Sequence, residues 1–150
     1  MKKWGVVSMA ALIVAGALPA FAQSHSHDAA PATQAMLQPG TKWATDAPLR
    51  AGMDGIRSGV ADLREKERFS MGDYRRLANE VDAHVASIVA NCKLSPEADA
   101  SLHAVIAELN AASDEMRKPW PEPARGLHRA KQALDTYQRT FEHAGFKPVA

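Results

Sequence analysis

Apolar residues recur along this chain at helical spacing in four separate stretches. In the first, Leu49, Met53, Ile56, Val60 and Leu63 follow one another at steps of four and three, one stripe on a helix. Thr45 or Asp46 supplies its N-cap, and Pro48 fits its first turn. The second stretch opens with Ser70-Met71-Gly72-Asp73, a variant of the capping box, and carries Tyr74, Leu77, Val81, Val85, Ile88 and Cys92 on one face. Ser95 followed by Pro96 starts a third, with Leu102, Val105, Leu109 and Met116 as its stripe. The segment from Lys118 to Pro123 contains three prolines and breaks the pattern. The fourth stripe is Leu127, Ala130, Leu134, Tyr137 and Phe141, and Gly145 is the expected left-handed cap. Strand signals are absent. Four single-faced helices with short connections predict an all-α, antiparallel up-down-up-down four-helix bundle.

The region before the first stripe differs in kind. Lys2 and Lys3 precede an apolar run from Val6 to Ala20 that closes on Ala20-Phe21-Ala22. At about 15 residues this run is shorter than the ~20 that span a bilayer, and it ends in the small residues that a signal peptidase reads. Residues 1–22 are therefore read as a cleaved signal peptide, 23–42 as a flexible tail and 43–150 as the bundle. Trp43 is expected to pack where the chain enters the fold. The predicted location is the periplasm, with no membrane span after cleavage.

Removing the leader takes two lysines from the 18 basic residues and leaves the 17 acidic ones, a net charge of −1. This near-neutral balance gives no electrostatic basis for nucleic acid as a partner. Cys92 is the single cysteine, so no internal disulfide forms and stability rests on side-chain burial. Motifs for attached haem, phosphate loops, serine nucleophile turns and di-iron Glu-x-x-His pairs are missing, which argues against an enzyme.

The residues that stand out are metal-ligand types. At ~1.5 Å per residue, Met53 lies ~9 Å into the first helix, His84 ~10 Å back from the end of the second and His103 ~10 Å into the third. A bundle would put them at one level, with Asp99 one turn before His103 to accept its other ring proton. Helical azimuth sets His84 roughly 60° and His103 roughly 120° off their stripes, so a pair at the seam of the second and third helices competes with flanking, solvated histidines. Met53 and Met116 are equally readable as packing residues. Cys92 reads either as a Cu(I) ligand or oxidation-sensitive thiol, or as a buried, inert one. In the tail, cleavage after Ala22 exposes Gln23-Ser24-His25, whose amine, two amides and imidazole form a square-planar set for Cu(II) or Ni(II), with His27 and Asp28 alongside.

Two resemblances add to this. The architecture resembles cytochrome b562-type bundles, whose haem takes a methionine early in the first helix and a histidine near the end of the last. Met53 and His143 match by position, although a helix continued to His143 sets it roughly 160° from its stripe, away from the family pattern. The run Trp43-Ala44-Thr45-Asp46-Ala47-Pro48-Leu49-Arg50 with Met53, Ile56 and Arg57, and Ile88 to Leu94 with Glu97 to Ala100, Leu102 and His103, resembles a group of small exported bacterial proteins labelled DnrO-like. That label implies a link to respiratory or nitrogen-oxide regulation without a mechanism. The leading expectation is a non-enzymatic periplasmic protein that binds or buffers a transition metal, copper before nickel or zinc, through His84, His103, Met53, Cys92, Asp99, His25 and His27. The alternative is a cofactor-free structural or interaction domain that meets another envelope protein through exposed Trp120. A haem carrier is the third.

Overall fold

The computed structural model describes residues 41–147 and 149. The signal-peptide and tail readings, with His25 and His27, fall on residues outside these. The described chain is all-α: α1 (Ala47–Arg64), α2 (Met71–Asn91), α3 (Pro96–Met116) and α4 (Glu122–Thr140). Each helix starts where local chemistry provides for its free N–H groups. Asp46 accepts from Leu49 N at 2.9 Å to cap α1, and its other oxygen accepts from Lys93 N at 2.5 Å. One carboxylate thus caps a helix and anchors the α2–α3 connection. Ser70 and Asp73 form a reciprocal capping box on α2. Ser95 caps α3, with Pro96 in its first turn. Pro121 offers α4 no side-chain cap, and the helix begins at Glu122 with Pro123 already inside its first turn, one turn before the stripe at Leu127.

All four stripes face the core, with Cys92 and Leu127 half-buried at its edge. Leu49, Met53, Ile56, Val60, Leu77, Val81, Ile88, Leu102, Leu109, Met116, Leu134 and Tyr137 form one continuous core. At ~25 cal/mol per Å², each such side chain contributes on the order of 2 kcal/mol of transfer free energy. Ser113 is the one buried polar residue among the described ones. Its hydroxyl donates to Asp82 and accepts from Arg117 at 2.5 Å, while Arg117 also donates to Asn79 at 2.8 Å. This knot joins α2 to α3, and no buried side-chain polar atom of the described residues lacks a partner.

Glycines set the closest helix approaches. A Cβ on Gly52 would lie 2.4 Å from Ile88 Cγ1, and one on Gly55 would lie 2.2 Å from His84 Cε1. A Cβ on Gly126 would lie 2.6 Å from the Ala112 carbonyl oxygen and 2.8 Å from Met116 N. The α1–α2 and α3–α4 pairs therefore touch at backbone distance. Flexible side chains could yield at Gly52, but only main-chain movement could make room at Gly126.

The end of α4 departs from expectation. The helix stops at Thr140, not at Gly145, and Phe141 turns extended with φ −118° and ψ 142°. There it forms an isolated parallel bridge with Trp43: Trp43 N donates to Thr140 O at 2.9 Å, and Glu142 N donates to Trp43 O at 2.8 Å. Gly145 keeps its left-handed conformation, φ 81°, in the turn beyond. Tyr137, Phe141 and Phe146 cluster behind the bridge, with ring centroids 5.0–5.2 Å apart.

Gly126→Ala should lower unfolding stability by about 1–3 kcal/mol through overpacking. Gly72→Ala, where the nearest foreign atom to the new Cβ is 3.5 Å away, should raise it by about 0.5 kcal/mol. Urea denaturation of the two variants checks both signs.

Candidate functional site

The expected ligands among the described residues do not converge. Met53 is fully buried in the core. His84 turns to α1, where its ring lies over Gly55, and so occupies the α1–α2 seam and not the α2–α3 seam. His103 is 70 % exposed on α3; its Nδ1 sits 2.8 Å from the Asp99 carbonyl oxygen and 3.4 Å from the Asp99 carboxylate. The pairing of His103 with Asp99 is thus present, but on the solvent side. Cys92 is the half-buried C-cap of α2. Burial, followed by the negative charges of Asp46 and Asp99, pushes its thiol pKa up, so it stays protonated and weakly nucleophilic. Among the described residues no three His, Cys, Asp or Glu side chains assemble as a metal-ligand group.

A different cluster forms where the Trp43–Phe141 bridge redirects the chain. Leaving the helix at Thr140 frees His143 from helical azimuth, and the side chain folds inward to 6 % exposure. Its Nδ1 lies 2.9 Å from the Tyr137 hydroxyl and its Nε2 3.4 Å from Asp54 Oδ2. Asp54 is an acceptor, so the neutral ring carries its proton on Nε2, and the Tyr137 hydroxyl donates to Nδ1. Burial dominates the electrostatics. It pushes His143 below its ordinary 6.5, with Arg50 acting in the same direction and Asp54 opposing. It also raises the Tyr137 phenol well above its usual value. Tyr137 is fully buried, so its hydroxyl positions the imidazole and meets no substrate. With both nitrogens engaged, His143 presents no open position for haem iron, and Met53 stays in the core.

His143 and Asp54 line a cleft of about 440 Å³ together with Thr45, Arg50 and Glu142. Arg50 NH1 donates to Thr45 O at 2.6 Å and to Thr45 Oγ1 at 3.1 Å, and Thr45 Oγ1 donates to Glu142 O at 2.6 Å. The α1 start, the α4 exit and the guanidinium are thereby tied together. Sequence spacing missed this site because no Gly or Pro marks the stop at Phe141. The stop is dictated by a partner strand nearly the whole fold away. Two signals were present: Arg50 and Asp54 share one turn of α1, and a tyrosine at the centre of an apolar stripe requires a polar partner.

No protein family, curated protein or solved structure matches this chain. The DnrO-like and cytochrome b562-type resemblances rest on the quoted residues alone.

A folded-state pKa below the unfolded one means that the unfolded chain binds the extra proton. The His143 contribution to stability is therefore complete above the ordinary 6.5 and is lost as pH falls through the window beneath it. Between about pH 7.5 and 5, the urea midpoint of the wild type should fall further than that of His143→Gln. Parallel loss in both proteins would remove His143 as the cause.

Proposed function

We propose that the chain is an exported, periplasmic, non-enzymatic helical protein that acts by contacting another envelope protein. Its helices are read as an up-down-up-down antiparallel bundle. In support of that order, Gly52 meets Ile88 while Gly59, two turns on, meets Leu77, so α2 descends as α1 rises. Arg117 at the end of α3 reaches Asn79 and Asp82 in the first half of α2, and Gly126 early in α4 meets Met116.

The observation that carries the reading is the exposure of one large aromatic residue in each of two connections. Phe69, before α2, is 46 % exposed, and Trp120, between α3 and α4, is 68 % exposed. The proposed order brings both connections to one end, opposite the Trp43–Phe141 bridge. An indole left in water forgoes roughly 2–3 kcal/mol of burial, and Trp is the residue type most enriched at interface hot spots. Flanking prolines, Pro119 and Pro121, restrict the loop that presents it. A partner face that is apolar at its centre fits these two rings. Among the described residues no helix is long and apolar enough to cross a membrane, and no group of metal ligands assembles. A catalytic role has little support, since the Tyr137 hydroxyl that meets the His143 imidazole is fully buried.

A photo-crosslinking amino acid placed at position 120 in exporting cells should give one discrete adduct. The same probe at Val89, 64 % exposed on a helix face, should give none. No adduct at 120, or equal adducts at both positions, contradicts the reading.

A further inference from the structure

The guanidinium of Arg50 is half-buried in the cleft at the bridge end, yet it forms no ion pair with any described carboxylate. It is held instead by neutral acceptors, the carbonyl and hydroxyl of Thr45. The carboxylate one helical turn on, Asp54, is occupied by His143 Nε2. An arginine fixed through one terminal nitrogen by neutral groups keeps its charge and its remaining N–H groups for a planar, two-oxygen acceptor. Glu142 lines the same cleft; it is exposed and makes no ion pair among the described residues, while its main-chain carbonyl accepts from Thr45 Oγ1 at 2.6 Å. One threonine thus holds both a cation and the main chain of an anion, neither of them ion-paired among the described residues.

From this arrangement we infer that the cleft is a binding site for a small zwitterion, an α-amino carboxylate whose carboxylate meets Arg50 and whose ammonium meets Glu142. The two acidic groups in the cleft, Asp54 and Glu142, repel a dianion such as phosphate. They also make a bare monocarboxylate a poorer occupant than one that brings its own positive charge. The volume of about 440 Å³ lies within the ordinary range for small-ligand sites and admits a free amino acid. His143 lines the cleft as well, turned to Asp54, and holds that carboxylate. The site is separate from the Phe69 and Trp120 end, so it stands or falls independently of the proposed partner contact.

The test uses the full mature protein and the two halves of one ligand. L-alanine, propionate (which lacks the amine), ethylamine (which lacks the carboxylate) and inorganic phosphate are each titrated by NMR, following the signals of Arg50, Asp54, Glu142 and His143. L-alanine should saturate shifts at these residues at least tenfold more tightly than propionate or ethylamine, and phosphate should leave them unmoved. Arg50→Gln should abolish saturation. Because Arg50 also ties Thr45, Glu142→Gln serves as the variant that spares the fold. It should lower the affinity for L-alanine at least tenfold and, by removing one repelling charge, leave propionate bound as tightly or more tightly. Equal binding of L-alanine and propionate, tighter binding of phosphate, or no saturation by L-alanine at tens of millimolar overturns the inference.

Discussion

Two main-chain hydrogen bonds between Trp43 and the residues flanking Phe141 govern the end of the protein where α1 starts and α4 stops. Helices α1 and α4 share the thinnest contact of the sequence-adjacent and chain-closing helix pairs, so the bridge supplies a direct link between the start and the exit of the fold. It also ends α4 at Thr140, three residues before His143, which a continued helix would have rotated into solvent. The chain instead runs extended, Phe141 and Phe146 close over Tyr137, and the imidazole is carried inward to Asp54. Everything that distinguishes this end follows from that redirection: the buried neutral histidine, the protonated tyrosine, the arginine tethered to Thr45 and the cleft beside them.

The remainder of the fold is a support for this geometry. Glycines at the α1–α2 and α3–α4 seams let the main chains approach so closely that Ile88 and His84 lie directly on α1, and Met116 on α4. Such contact fixes the axial position of one helix against the next, because sliding would drive side chains into backbone. Asp46 extends the same control to the connections by capping α1 and holding Lys93 at once. Among the described residues the helix interior is filled by aliphatic and aromatic side chains, and Ser113, buried between α2 and α3, is fully partnered. Chemistry is therefore displaced to the two ends.

Much of the fold could be read in the sequence, because local signals and burial agreed. The four stripes, the caps at Asp46, Ser70 and Ser95, and Pro96 at the start of α3 each combine a backbone requirement with a residue that meets it. The site was far less legible. Axial level and azimuth identify which residues of regular helices could meet, and they misplaced His143 because its backbone is not helical. They also could not show that the ring of His84 would settle on a glycine of α1, since a missing side chain leaves no periodic mark. Arg50 and Asp54 were visible as polar residues on the first helix, but their significance depends on a segment about ninety residues away in the chain. Long-range pairing of extended backbone has no signature in one strand alone. Trp120, by contrast, was legible as exposed, because it lies in a connection with three prolines.

The two ends differ: the bridge end holds a polar cleft beside an inward-turned imidazole, and two connections leave Phe69 and Trp120 exposed, the surface proposed above for a partner. The central claim is structural, that Phe141 pairs with Trp43 and thereby buries His143 as a neutral ring between Tyr137 and Asp54. Nitrogen-15 NMR of the histidine side chains across pH tests it most directly. The account predicts one imidazole that titrates below its ordinary 6.5, carries its proton on Nε2 while neutral, and exchanges that proton slowly. A set of histidines that all titrate at the ordinary value, with rapid exchange and no fixed tautomer, would contradict it.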